Sequence, residues 1–258
     1  MFSIITGEIP IRIYQPQGNN PFPILLYFHG GGWVTCNLDT HDSLCRSLAN
    51  GASCIVVSVD YRLAPEHKFP AAVDDAYAAT RWASDNAESI NGDSNRIAVG
   101  GDSAGGNLAA VVSLMARDNG SPSLRHQLLI YPVTDLSSFD TKSYREHGEG
   151  YILTRDSMEY YRGHYIRRDE DALNPYASPL LAQDLSGLPP ALVMAAEFDV
   201  LTDESNAFAN RLRRVGISVT YSCYEGMIHP FLSLAGMVDR ARDGISEAAT
   251  ALRSAFGK

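Results

Sequence analysis

The sequence predicts an α/β fold, a mostly parallel central sheet with helices on both faces and an inserted lid. Three observations carry that expectation. Short apolar runs alternate with segments of helical period along the chain. A glycine-flanked serine falls where one such run meets a helical segment. One connection, about residues 135–190, is far longer than the few residues usual between elements of such folds. With 258 residues, 45% hydrophobic and 20% charged, the chain suits one domain spanning 1–258 around a sizeable core.

Taken in order, the expected strands are the apolar runs Ile9–Tyr14, Ile24–Phe28, Cys54–Val59, Ile97–Gly100, Gln127–Tyr131, Ala191–Ala196 and Val219–Tyr224. Between them Thr40–Asn50, Ala71–Ser84, Gly105–Arg117, Asp203–Val215 and Val238–Phe256 read as helices. In Ala71–Ser84, for example, Val73, Ala76, Tyr77 and Thr80 share one face. The long connection holds Tyr144, Tyr151, Tyr160, Tyr161 and Tyr165, with a helical stretch around Ser157–Tyr165. That content suits a lid over a site; the alternative is a surface excursion that only packs on the sheet.

Composition narrows the partners. A formal net charge of -9 gives no basic field for phosphate backbones or anionic lipid, so neither nucleic acid nor a membrane surface is an expected partner. The segment Met1–Pro16 lacks the basic and apolar regions of a signal peptide, and no apolar stretch approaches the roughly 20 residues of a membrane helix. A cytoplasmic protein is expected. Cys36, Cys45, Cys54 and Cys223 show no paired metal spacing and read as reduced core or loop thiols.

The chemistry centres on Gly101-Asp102-Ser103-Ala104-Gly105, a G-x-S-x-G pentapeptide between the run Ile97–Gly100 and a helix. A turn sharp enough to lift the serine hydroxyl above the strand ends wants glycine on both sides. Alone the pattern is weak, with about 0.16 chance matches expected at this composition. His29-Gly30-Gly31-Gly32-Trp33, directly after Ile24–Phe28, strengthens it. A glycine run lets the backbone approach a carbonyl, and its N–H groups, with that of Ala104, can face the oxyanion of acyl transfer. His29 fits an orienting role better than that of a base.

A hydroxyl nucleophile needs a base, and in this arrangement acid and histidine follow the serine in chain order. His229 is the histidine that lies beyond the later acidic loop candidates, in the loop after Val219–Tyr224. Asp199 stands just past the end of Ala191–Ala196, where ligand-facing groups collect, and is the expected acid. Asp203 is the alternative, with Glu197 behind it; capping their helix is the default role of Asp203 and Glu204.

These residues resemble the hormone-sensitive lipase family, the bacterial esterase and lipase group of the α/β-hydrolases. The likeness also rests on Tyr61-Arg62-Leu63-Ala64-Pro65-Glu66-His67 ahead of Phe69-Pro70, on Gly-Asp-Ser-Ala-Gly-Gly-Asn at 101–107 and on Leu188-Pro189-Pro190-Ala191. It implies the α/β-hydrolase fold, Ser103 as nucleophile, Asp199 orienting His229, and an oxyanion hole of the Gly31, Gly32 and Ala104 N–H groups. Asp102 places the chain in the Gly-Asp-Ser-Ala-Gly branch. The resemblance further implies a homodimer through the edge strand near Val219–Tyr224 and the last helix.

Three departures stand out. Pro230 follows His229 where the family often has glycine, and Val200 follows the acid where proline is usual. Family members also carry an N-terminal helical cap of some tens of residues, whereas Met1 stands almost at the first strand. The insertion is then expected to shield the acyl pocket alone, with Tyr151, Met158 and Tyr161 as its substrate contacts. The expected function is hydrolysis of short-chain acyl esters through an acyl-enzyme. No metal or organic cofactor is called for, because base, nucleophile and electrophilic stabiliser are all protein groups. An amidase or deacylase would use the same triad. A non-catalytic receptor is the rival from another class, disfavoured because His229 is present.

Overall fold

The computed structural model describes residues 2–4, 7–18 and 21–257. Two short strands, Phe2–Ile4 (β1) and Gly7–Ile9 (β2), pair with each other. The main sheet is formed by Ile11–Tyr14 (β3), Phe22–Phe28 (β4), Ile55–Val59 (β5), Gly92–Asp102 (β6), Leu124–Ile130 (β7), Ala191–Phe198 (β8) and Val219–Ile228 (β9), in the order β3-β5-β4-β6-β7-β8-β9. β3 is antiparallel to β5 and the remaining pairs are parallel. Every residue of β4 is buried, as a strand covered on both faces requires.

Alternation along β4 divides the core in two. Ile24, Leu26 and Phe28 join Val73, Ala76, Leu108 and Phe208 from the helices Ala71–Asp85 (α2), Ala104–Asn119 (α3) and Thr202–Arg214 (α6). Leu25 and Tyr27 meet Leu44, Leu48, Ala248 and Leu252 from Asp42–Ala52 (α1) and Asp239–Ala255 (α7) on the opposite face. The insertion between β7 and β8 contains two helices, Lys142–His147 (α4) and Arg155–Tyr165 (α5).

The sequence expectations hold at the level of elements and shift at their ends. Ile9 belongs to β2, because Pro10 has no N–H to carry a ladder across it, and the sheet strand starts at Ile11. β6 starts at Gly92, ahead of Ile97, through the polar residues Asp93, Ser94 and Asn95. None of the four cysteines forms a disulfide among the described residues; Cys45 and Cys54 are buried, and Cys223 is exposed on β9. No helix among the described residues is long and apolar enough to cross a membrane.

His126 on β7 carries a testable consequence. It is buried, and burial alone holds its pKa down to about 4 from 6.5. The unfolded chain therefore binds a proton that the folded chain refuses between pH 6.5 and 4, so stability falls as pH drops through that window. The shift corresponds to about 3 kcal/mol. Urea titrations of His126→Gln and the parent between pH 7.5 and 4 are expected to show a flatter acid limb in the variant; equal limbs would refute the point.

Candidate active site

The parallel register brings the C-terminal ends of the central strands to one edge of the sheet: Phe28 of β4 pairs with Gly101 of β6, Asp102 with Ile130 of β7, and Phe198 of β8 with Ile228 of β9. The four loops singled out by sequence leave from this edge. Ser103 sits between β6 and α3 with φ 56° and ψ −118°, a conformation that disfavours any residue with a Cβ. Its N–H donates to Ile130 O at 2.9 Å and its carbonyl accepts the N–H groups of Asn107 and Val133 at 3.0 and 3.2 Å. The flanking glycines are required sterically. A Cβ on Gly105 would lie 1.9 Å from Phe28 O, and one on Gly101 would lie 2.4 Å from the Gly105 backbone.

His229 Nδ1 lies 2.8 Å from Asp199 Oδ2, with both residues buried. Asp199 Oδ1 accepts the N–H of Leu201 at 3.0 Å, which fixes the carboxylate at the root of α6. The Tyr131 ring lies against the imidazole edge-on, with centroids 4.6 Å apart. The acid alternatives are engaged elsewhere. Glu197 accepts the N–H of Gly226, and Asp203 accepts the N–H of Ser143. Neither Asp203 nor Glu204 caps its own helix: Glu204 Oε1 takes the N–H groups of Thr134 and Asp135 at 2.6 and 3.2 Å. The insertion's first residues offer unpaired donors that a solvated helix end would not. Burial pushes Glu204 above the ordinary carboxyl range, while the N–H groups of Thr134 and Asp135 work in the opposite direction.

Ser103 and His229 line one cavity of about 210 Å³ together with Gly31 and Gly32. Among the described residues, no protein group accepts the N–H of Gly31, Gly32 or Ala104. Val133, Leu153, Met158 and Tyr161 give the cavity an apolar wall, and Ile152 stands at its rim, 61% exposed. Of the three insertion residues expected as substrate contacts, Met158 and Tyr161 are among those that line the cavity. Tyr151 is not: its ring stacks on Phe198 and meets His147 edge-on, away from the cavity, which leaves the wall to the next two residues.

The glycine loop rests on a polar network that motif reading missed. Asp102, fully buried, accepts from Tyr27 Oη at 2.7 Å and from the N–H of Gly30 at 3.1 Å, and its Oδ1 lies 3.2 Å from His41 Nε2. Burial works against both charges, yet the pairing wins: Asp102 is held below and His41 above its ordinary pKa. The only sequence cue was an acidic residue inside the elbow, ahead of the serine. His29 is stacked on Tyr61 at 4.3 Å with its Nδ1 2.7 Å from Gly30 O, and burial holds its pKa down to about 4. Among the described residues, no cluster of His, Cys, Asp and Glu is arranged to hold a metal ion.

Comparison with known proteins agrees with this layout. A family model described as the α/β-hydrolase fold matches residues 25–233. The carboxylic ester hydrolase LipN of Mycobacterium tuberculosis is 46% identical over 96% of this chain and 67% of its own length. The carboxylesterase NlhH of the same organism is 43% identical over 96% of the chain and 79% of its own. Among solved structures, EstE1, a thermostable carboxylesterase cloned from a metagenomic library, superposes with a TM-score of 0.96 at 45% identity, covering 98% of this chain and 87% of that one. The chain belongs to the α/β-hydrolases, in their hormone-sensitive-lipase-like group of bacterial esterases.

Proposed function

We propose that this chain is a serine carboxylesterase that hydrolyses short-chain acyl esters, with Ser103 as nucleophile, His229 as base and Asp199 as its orienting acid. One observation supports the reading: Ser103, strained at φ 56°, and His229, itself paired with Asp199, line one cavity with Gly31 and Gly32, whose N–H groups have no protein acceptor among the described residues. Esterase activity is what the names of LipN, NlhH and EstE1 describe, at 43–46% identity. His229 takes the Ser103 proton, the hydroxyl oxygen attacks the ester carbonyl, and the Gly31, Gly32 and Ala104 N–H groups receive the oxyanion. Collapse of the adduct expels the alcohol, protonated by His229; water then repeats the sequence on the acyl-enzyme. The chain 1–258 acts as one catalytic unit with residues 135–190 as its lid. Fluorophosphonate labelling that disappears in Ser103→Ala tests the nucleophile, and an unlabelled parent would return the reading to a receptor. Faster turnover of amides than of matched esters would return it to a deacylase.

The cavity size sets the acyl preference. At about 210 Å³ it lies below the roughly 300–1,000 Å³ of sites for drug-sized ligands. Each methylene it buries gains about 0.8 kcal/mol, and the gain ends where the wall ends, at Ile152. Acetyl to about hexanoyl esters should be used best, with a shallow preference among them and little action on long-chain triglycerides. A kcat/KM series over p-nitrophenyl esters checks this; a sharp optimum at decanoyl or longer contradicts it.

A cytoplasmic setting suits four cysteines that form no disulfide among the described residues. A homodimer is proposed through β9, whose pairing partner in the sheet is β8 alone, leaving its outer ladder groups open to a second copy. Light scattering should give twice the chain mass at micromolar concentration; a monomer throughout that range refutes it.

A further inference from the structure

The glycine loop is held from the lid side as well as from the sheet. Gly31, Gly32 and Trp33 have φ of 113°, 60° and 60°, and the last is a bulky residue in a left-handed conformation that persists only where its surroundings impose it. The surroundings that do so belong to α5. The Tyr165 ring stacks on the Trp33 indole with centroids 4.3 Å apart and planes 1° from parallel, both residues fully buried. One turn earlier on the same face, the Tyr161 ring covers Gly32 so closely that a Cβ there would lie 2.3 Å from Cγ and Cδ1 of the ring. The N–H of Ala64 secures the Trp33 carbonyl at 2.8 Å.

The helix that presents these rings is itself fastened. Lys68 Nζ donates to the carbonyls of Gly163 and Ile166 at 3.0 and 3.1 Å, and the N–H of Phe69 donates to Tyr165 O at 2.8 Å. Arg162 Nε donates to Leu136 O at 2.8 Å. We propose that Tyr161 and Tyr165 are positioning residues for the oxyanion loop, so that α5 completes the electrophilic half of the site as well as covering the pocket. This rests on the reading that the Gly31 and Gly32 N–H groups bind the oxyanion. Donors of that kind act through fixed placement, since groups that must reorganise during the reaction lose their advantage.

The test pairs two sets of variants on p-nitrophenyl butyrate. Gly32→Ala drives a methyl into the Tyr161 ring and is expected to lower kcat about 100-fold with KM within about threefold. Tyr161→Leu, which takes the ring off Gly32, should lower kcat about tenfold relative to Tyr161→Phe, which keeps it there. Tyr165→Leu should lower kcat about tenfold relative to Tyr165→Phe, which keeps the stacked ring. Binding of a trifluoromethyl ketone, which adds to Ser103 as an oxyanion, should weaken in Tyr165→Leu by more than binding of the matching unreactive alcohol. Equal kcat in the Leu and Phe variants at either tyrosine, or an effect of the Leu variants on KM alone, overturns the proposal. If Gly32→Ala fails to fold, the Tyr165 pair decides. A parent protein that neither turns over the ester nor takes a fluorophosphonate at Ser103 removes the esterase reading first, and the positioning role with it.

Discussion

Ser103→Ala and His229→Ala are each expected to lower esterase kcat by on the order of 10⁶, leaving purified, folded protein without measurable turnover. The size follows from how the groups depend on one another. Without the hydroxyl there is no acyl-enzyme. Without the imidazole the hydroxyl stays protonated, far below its ionisation range, and the leaving alcohol has no acid. The residual rate in either variant comes from the cavity and its N–H groups, so combining the substitutions should cost little more than one alone. Steady-state assays with melting curves on the same samples check this. Turnover within tenfold of the parent in either folded variant would remove that residue from the mechanism.

Asp199→Asn is expected to cost about 10⁴ in kcat with the fold intact. In the proposed mechanism the carboxylate accepts from His229 Nδ1 and leaves Nε2 to take the serine proton; an amide can present N–H instead and select the wrong tautomer. Asp203→Asn removes charge from an oxygen that holds the Ser143 N–H at the start of α4, and should mainly lower the melting temperature. The two carboxylates are four residues apart in sequence and hold different partners, His229 and the Ser143 N–H. The reverse ranking of kcat losses would transfer the acid role to Asp203.

What was legible in the sequence is what depends on strand ends. Ser103, Asp199 and His229 each follow an apolar run, and a parallel sheet delivers the ends of such runs to one edge whatever the helices do. The glycine run was legible because close backbone approach excludes side chains. The insertion was not, since its conformation is set by packing against the rest of the chain. Tyr151 and Ile152 are neighbours, and which of them faces the cavity depends on the ring stack with Phe198, a contact 47 residues away in sequence. The six residues of α4 are too few to show a helical period. Asp102 and His41, 61 residues apart, meet because the fold brings the residue before α1 against Gly30 and Asp102.

The side chain of Asn107, buried in the first turn of α3, donates from one nitrogen to the carbonyls of Val133 and Ala177, at 3.0 and 2.9 Å. The start of the long excursion and a point well inside it, at Ala177, are thereby clasped at a single amide behind Ser103. A segment whose ends are already joined behaves as a closed ring of chain. Doubling the length of such a ring costs only about 0.6 kcal/mol in closure entropy. The segment between those two carbonyls is thus a place where this scaffold can gain or lose residues and change its acyl pocket while the triad loops stay where the sheet puts them.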